Sequence, residues 1–231
     1  MRRRGYRVIS VDLKFGAEHD LTIRRVQRRI LQTLKSGRVR GVMLAVPCTS
    51  FSRARNRTRV IRSDEFPFGL PERDGWTEND LSALAAGNTL AIFTLAVLSE
   101  CNRQKIPWSL ENPYSSVLFK IPQIANLISC EPSSFIRSCM CAFGARWRKP
   151  TGVLVGNVCT SFASEVLCRH CKNKNGICDY SNKKHIILSG SAPGAVPWTR
   201  IAQAYPKDFS DALAATLAYE NFNDPSLNHP K

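Results

Sequence analysis

Two short apolar runs, each closed by a reactive side chain, constrain this chain most. Val42-Met-Leu-Ala-Val46 leads into Pro47-Cys48, and Pro107-Trp-Ser-Leu110 leads into Glu111-Asn112-Pro113. Runs of this length bounded by turn residues read as buried strands. Between them, Leu81 to about Cys101 is apolar apart from interruptions such as Gly87, Asn88, Thr89 and Thr94, which makes it a buried core helix rather than a membrane span. A strand, a helix and a second strand in that order build a parallel α/β unit. In such sheets ligands meet the carboxyl ends of the strands, and Cys48 and Glu111 both belong there.

The rest of the chain extends the pattern. Tyr6 to Asp12 reads as a further strand ending in an acid, while Ser134–Cys139 and Gly152–Val155 read as two more. Thr22 is placed to cap a helix with the apolar stripe Ile23, Val26, Ile30 and Leu34, stopped near Gly37. Its other face, with Arg24, Arg25, Arg28 and Arg29, reads as solvated. A last helix carries Phe209, Leu213, Thr216 and Leu217. The expected architecture is an α/β sheet, largely parallel. Its core is residues 1–160, with a Cys/His-rich insert at 161–190 and a C-terminal helix in 191–231 returning to that core.

Charge narrows the partners. The net charge is +15; residues 63–80 carry −5, leaving +20 for the remainder. An excess of this size favours phosphate-rich partners, because Lys and Arg release counterions when they neutralise phosphates. Met1-Arg-Arg-Arg4 leads into a polar segment and not an apolar secretory core, and nine cysteines then imply a reducing, intracellular setting.

Cys48 is followed by Arg53, Arg55, Arg57, Arg59 and Arg62, whose potential is expected to lower the thiol pKa and whose guanidinium groups suit DNA phosphates. The residue types alone leave two roles open for it, a nucleophile or a small hydrophobe at a strand end. Glu111 is likewise either a carboxylate in use or an acid facing solvent before Pro113. A third cluster, Cys168-x2-Cys171-x6-Cys178-x6-His185, offers four donors suited to tetrahedral zinc, with His170 an alternative to Cys171. Lys172, Lys174, Lys183 and Lys184 offset the thiolate charge.

Pro-Cys after one strand and Glu-Asn after the next, in this order and separation, resemble the motifs of the cytosine-5 DNA methyltransferase family. The forms Pro-Cys-Thr-x-Phe-Ser and Glu-Asn-Pro are closest to its divergent phage and mobile-element members. Phe143-Gly-Ala-Arg-Trp-Arg-Lys-Pro-Thr151 is similar to the family's Gln-x-Arg-x-Arg segment without the Gln, and Ile201 to Pro206 resembles the segment before its last helix. The resemblance implies a Rossmann-like sheet of order 3-2-1-4-5-7-6, truncated at its N-terminal side and carrying a small zinc-binding insert. It implies that Cys48 adds to C6 of a flipped cytosine, that Glu111 hydrogen-bonds N3 and the exocyclic amine, and that Arg148 contacts O2, with Arg146 and Lys149 as alternatives. It further implies S-adenosylmethionine, held by Asp12, Asp20, Leu21 and Pro47. The family's Phe-x-Gly-x-Gly loop has no counterpart, since no Gly-x-Gly occurs in the chain. Weak cofactor binding by this chain alone is the expectation. A catalytically inactive, zinc-stabilised nucleic-acid-binding relative of the fold is the competing expectation, as is an upstream segment or second chain that supplies the cofactor strand.

Overall fold

The computed structural model describes residues 6–54, 59–172 and 175–223. Helix α1 (Arg24–Lys35) precedes strand β1 (Val42–Ala45); helix α2 (Glu78–Arg103) separates it from β2 (Trp108–Pro113). There follow α3 (Pro122–Ser129), β3 (Ser134–Cys139), β4 (Pro150–Gly156), α4 (Thr160–Leu167), α5 (Trp198–Ile201) and α6 (Lys207–Asn223). The four strands form one mixed sheet of order β1-β2-β4-β3. The β1–β2 pair is parallel, as the intervening helix dictates, with Ala45 opposite Glu111. Strand β4 runs antiparallel to both β2 and β3, so the sheet is not largely parallel as the sequence suggested.

Strand alternation divides the core in two. Trp108 and Leu110 of β2 and Leu154 of β4 face one side, packed with Ala91, Phe93, Val97 and Leu98 of α2. Val153 and Val155 face the other, packed with Ala163 and Leu167 of α4 and Phe209, Leu213 and Leu217 of α6. Each fully buried side chain of this kind contributes roughly 1.5–3 kcal/mol. On β2 the second face carries Ser109 and Glu111, the residues alternating with Trp108 and Leu110, so Glu111 points towards the side covered by α6.

Helix α2 is long and apolar enough to cross a membrane by length and composition. Its N-terminus is fixed by a reciprocal capping box, in which Asp80 donates its backbone N–H to the Thr77 hydroxyl and accepts from the Thr77 N–H. Ala91, Val97, Leu98 and Cys101 along it are almost fully buried in the core.

The N-terminal segment departs from expectation. Tyr6 to Asp12 forms no strand; Asp12 caps a short 3-10 turn, Leu13–Phe15, by accepting from the Lys14 N–H at 2.9 Å. Among the described residues nothing pairs with the outer edge of β1, and an apolar run without a neighbouring strand has no ladder to join. Thr22 does not cap α1: Ile23 takes the N-cap position, and the Thr22 hydroxyl donates to Asp20 instead.

Candidate active site and metal centre

Registry brings the two reactive residues together. Because β1 and β2 are parallel neighbours, Pro47-Cys48, just past the end of β1, and Glu111-Asn112, among the last residues of β2, lie at the same end of the sheet. Asn112, fully buried, donates its side-chain amide to the Val46 carbonyl at 2.7 Å and ties the two strand ends together. Cys48 then opens a turn in which its carbonyl accepts from the N–H groups of Phe51 and Ser52. The turn is anchored from below by Arg62, buried at 3% exposure. One guanidinium nitrogen of Arg62 donates to Pro67 O and Asn88 Oδ1, the other to Ser50 Oγ and Leu84 O, and its Cζ lies 4.0 Å from the Phe51 ring centroid.

Glu111 is 6% exposed, and burial pushes its carboxyl above the usual range, opposed by Tyr205 and by the charge of Lys149. The Tyr205 hydroxyl donates to Glu111 Oε2 at 2.5 Å. Oε1 is buried and, among the described residues, has no hydrogen-bond partner. A buried carboxylate oxygen left unpaired costs on the order of 1–3 kcal/mol, the kind of vacancy a ligand N–H relieves. Burial also raises the Cys48 thiol, with the Glu111 charge adding and the Lys149 charge subtracting. The shift is therefore opposite in direction to the lowering expected from the following arginines, because desolvation is the largest effect on the thiol.

The cation facing this pair is Lys149, not Arg148. Lys149 Nζ donates to the Ala202 carbonyl at 3.0 Å and lies 5.7 Å from the Tyr205 ring centroid. Its φ of 32° places it in the left-handed region, a conformation costing about 1–3 kcal/mol in a non-glycine residue and found where surrounding structure enforces it. Arg148 donates to the Cys171 carbonyl at 2.7 Å and so belongs to the insert. Arg146 is exposed.

The loop arginines divide similarly. Arg53 pairs with Asp64 and donates to the Ser115 carbonyl, while Arg59 pairs with Asp80 and donates to the Gly75 carbonyl. Arg55 and Arg57 lie outside the described residues.

The structure gathers Cys141, Cys171, Cys178 and His185, with all four ligand atoms within 4.8 Å of one another. Cys171 Sγ and His185 Nε2 are 3.8 Å apart, a few tenths of an ångström beyond the sulfur–nitrogen edge of about 3.6 Å in a tetrahedral zinc site. Cys141 replaces Cys168 in the expected set: Cys168 is exposed, with its Sγ 3.5 Å from His170 Nε2. Burial and the neighbouring thiols Cys171 and Cys178 push the Cys141 thiol up, the repulsion that a divalent cation removes. Burial opposes ionisation of Cys178, but hydrogen bonds from Ser181, the Tyr180 and Ser181 N–H groups and His185 hold its thiol at about 6. Three thiols and one imidazole can hold a metal ion, and the set is compatible with zinc. Since Cys141 sits in the turn Met140–Phe143 between β3 and β4, the site joins the insert to the core.

Of the residues expected to hold S-adenosylmethionine, each makes its own local contacts. Asp12 and Asp20 spend their carboxylates on local turns with Lys14 and Thr22, Leu21 packs against the α2 side of the core, and Pro47 is exposed. Among the described residues neither aspartate has a hydrogen bond or ion pair to Cys48, Glu111, Lys149 or Tyr205.

The opposing charges on Cys48 give a pH-dependent expectation. Alkylation by iodoacetamide should rise with pH to beyond 9. At pH 8.5 Glu111→Gln should speed it and Lys149→Met slow it. Equal rates in all three proteins would show that neither charge acts on the thiol.

Compared with family models, curated proteins and solved structures, the chain matches none.

Proposed function

We propose that this chain is a methyltransferase-like protein directed at cytosine in DNA, with Cys48 as the nucleophile and Glu111 as the acid at the base edge. The observation that carries this reading is the buried Glu111 with one oxygen held by Tyr205 and the other unpaired, beside the Cys48 thiol at the carboxyl end of two parallel strands. The strand order β1-β2-β4-β3 supports it, since it corresponds to positions 4-5-7-6 of the order that the resemblance implies. The chemistry is Michaelis-type addition. The Cys48 thiol releases its proton to solvent, helped by the Lys149 charge; Sγ bonds to C6, the C5–C6 π bond opens, and N3 takes a proton from Glu111. Burial raises the Glu111 pKa, which favours proton donation at that edge. Lys149, in place of Arg148, is the cation at O2.

Addition to C6 needs no cofactor. Water then gives C5 a proton as N3 returns its own to Glu111; the hydroxide left behind takes the original C5 hydrogen as a proton while N3 is reprotonated by Glu111. The C5–C6 π bond re-forms as the Cys48 thiolate leaves, and N3 hands its proton back to Glu111. Exchange of the C5 hydrogen with water is thus the test of the reading. Zinc in the Cys141, Cys171, Cys178 and His185 site is part of the same proposal, as the clamp that fixes the β3–β4 connection bearing Lys149.

A second reading, a catalytically inactive zinc-stabilised nucleic-acid-binding protein of the same fold, is favoured by one observation. Asp12 and Asp20 spend their carboxylates on local turns with Lys14 and Thr22 and, among the described residues, make no hydrogen bond or ion pair to the Cys48–Glu111 centre.

A further inference from the structure

Next along the chain from Glu111-Asn112-Pro113 lies a cleft of about 440 Å³ lined by Arg53, Tyr114, Ser115, Phe119, Lys120 and Phe135, among others. Its volume falls within the range of small-ligand pockets. Two backbone contacts tie the cleft to the carboxyl end of the sheet. Tyr114 follows Glu111-Asn112-Pro113 and donates its backbone N–H to the Pro150 carbonyl, next to Lys149. Arg53 reaches in from the Cys48 loop through its bond to the Ser115 carbonyl.

The walls are aromatic and basic. The Tyr114 and Phe135 rings stack at 5.6 Å with planes 13° apart, and Phe119 meets Phe135 edge-on at 4.7 Å. Arg137 Cζ lies 4.7 Å from the Tyr114 centroid, and its buried Nε has no hydrogen-bond partner among the described residues. Tyr114 remains 39% exposed, so part of its ring faces solvent. Arg53 and Lys120 line the cleft with one acid, Asp64, which pairs with Arg53, and Arg137 adds a third cation through its contact with the Tyr114 ring.

We propose that this cleft is a nucleotide subsite of the DNA strand, in which an unstacked nucleobase lies on Tyr114 and its phosphate meets Lys120 and Arg137. Flat aromatic surface with flanking cations is the arrangement that binds single-stranded nucleic acid, because every base has a π-face and every nucleotide a charge. The subsite rests on the reading of DNA as substrate and deepens it. It would take a nucleotide flanking the target cytosine, leaving the cytosine itself to Glu111.

The test is fluorescence anisotropy of the whole chain with a labelled single-stranded DNA 12-mer. Tyr114→Ala should weaken binding roughly fivefold to a hundredfold, and Tyr114→Phe should stay within about twofold of wild type. Tyr114→Leu keeps the apolar contact with Phe135 but lacks the flat ring, and should behave like Ala; this variant serves if Ala disturbs the fold. Binding unchanged in both Ala and Leu proteins, with thermal melting intact, would overturn the subsite. So would an equal loss in Tyr114→Phe, which would assign the effect to the hydroxyl. Tighter, Tyr114-dependent binding of the matching RNA would overturn the assignment to DNA. Tyr114-dependent DNA binding without C5 exchange would leave the subsite standing and remove the enzymatic reading.

Discussion

Cys141→Ser should strip the metal from this protein as completely as Cys178→Ser, and Cys168→Ser should leave it in place. The spacing of cysteines within the insert favours the opposite pattern, with Cys168 as the first ligand. The structure puts Cys141 with Cys171, Cys178 and His185 and leaves Cys168 exposed beside His170. Structural zinc contributes about 10–16 kcal/mol in small metal-dependent domains, so losing one of four ligands should cost on the order of 3 kcal/mol or more. The loss should also spread beyond the insert. Cys141 lies in the turn whose first residue, Met140, donates its N–H to the Arg148 carbonyl, and Arg148 in turn donates to Cys171 O. Loosening that turn frees Lys149 from the Cys48–Glu111 pair. Metal analysis of the three purified variants decides the ligand set; retention by Cys141→Ser and loss by Cys168→Ser would reverse it.

Arg62→Met should lower the melting temperature by about 6–12 °C, the shift expected for about 3 kcal/mol in a domain of this size. The substitution keeps much of the volume but removes the guanidinium that serves Pro67 O, Asn88 Oδ1, Ser50 Oγ and Leu84 O. Leaving buried acceptors unpaired costs about 1–3 kcal/mol each before relaxation. Because Ser50 and Phe51 lose their anchor, the Cys48 turn should open and the thiol should alkylate faster. A melting temperature within 2 °C of wild type would show that the turn is held by its own backbone.

The sequence carried the strands that matter, and the reason is local. Val42–Ala45 and Trp108–Pro113 are apolar runs with abrupt polar ends, and the helix between them forces their parallel pairing. Cys48 and Glu111 were legible because they sit at those ends. Tyr6–Asp12 was misread because β-type composition cannot specify a partner strand, and among the described residues none is next to it. The direction of β4 was likewise invisible, since a fully buried run reads the same either way.

The remaining site residues are set by tertiary contacts. Arg62 looks like the other arginines of its loop, yet it alone among those described is buried and surrounded by acceptors. Cys141 lies 30 residues upstream of Cys171, outside any spacing rule for a compact insert. The choice between Arg148 and Lys149 turns on one backbone rotation, the positive φ of Lys149. Tyr205 approaches Glu111 from 94 residues away. No local pattern announces such a pairing.

The central claim is that Cys48 adds reversibly to cytosine C6, and the measurement that meets it most directly is release of tritium from DNA carrying 5-tritiated cytosine, with the chain as it stands and no cofactor added. The account predicts time-dependent release into water by the wild-type protein. Cys48→Ala should give none above background while retaining DNA affinity, and Glu111→Gln should slow release by roughly 10²–10⁴-fold, the usual contribution of a positioned acid. DNA binding without release by the wild-type protein, or equal release by Cys48→Ala, would contradict it.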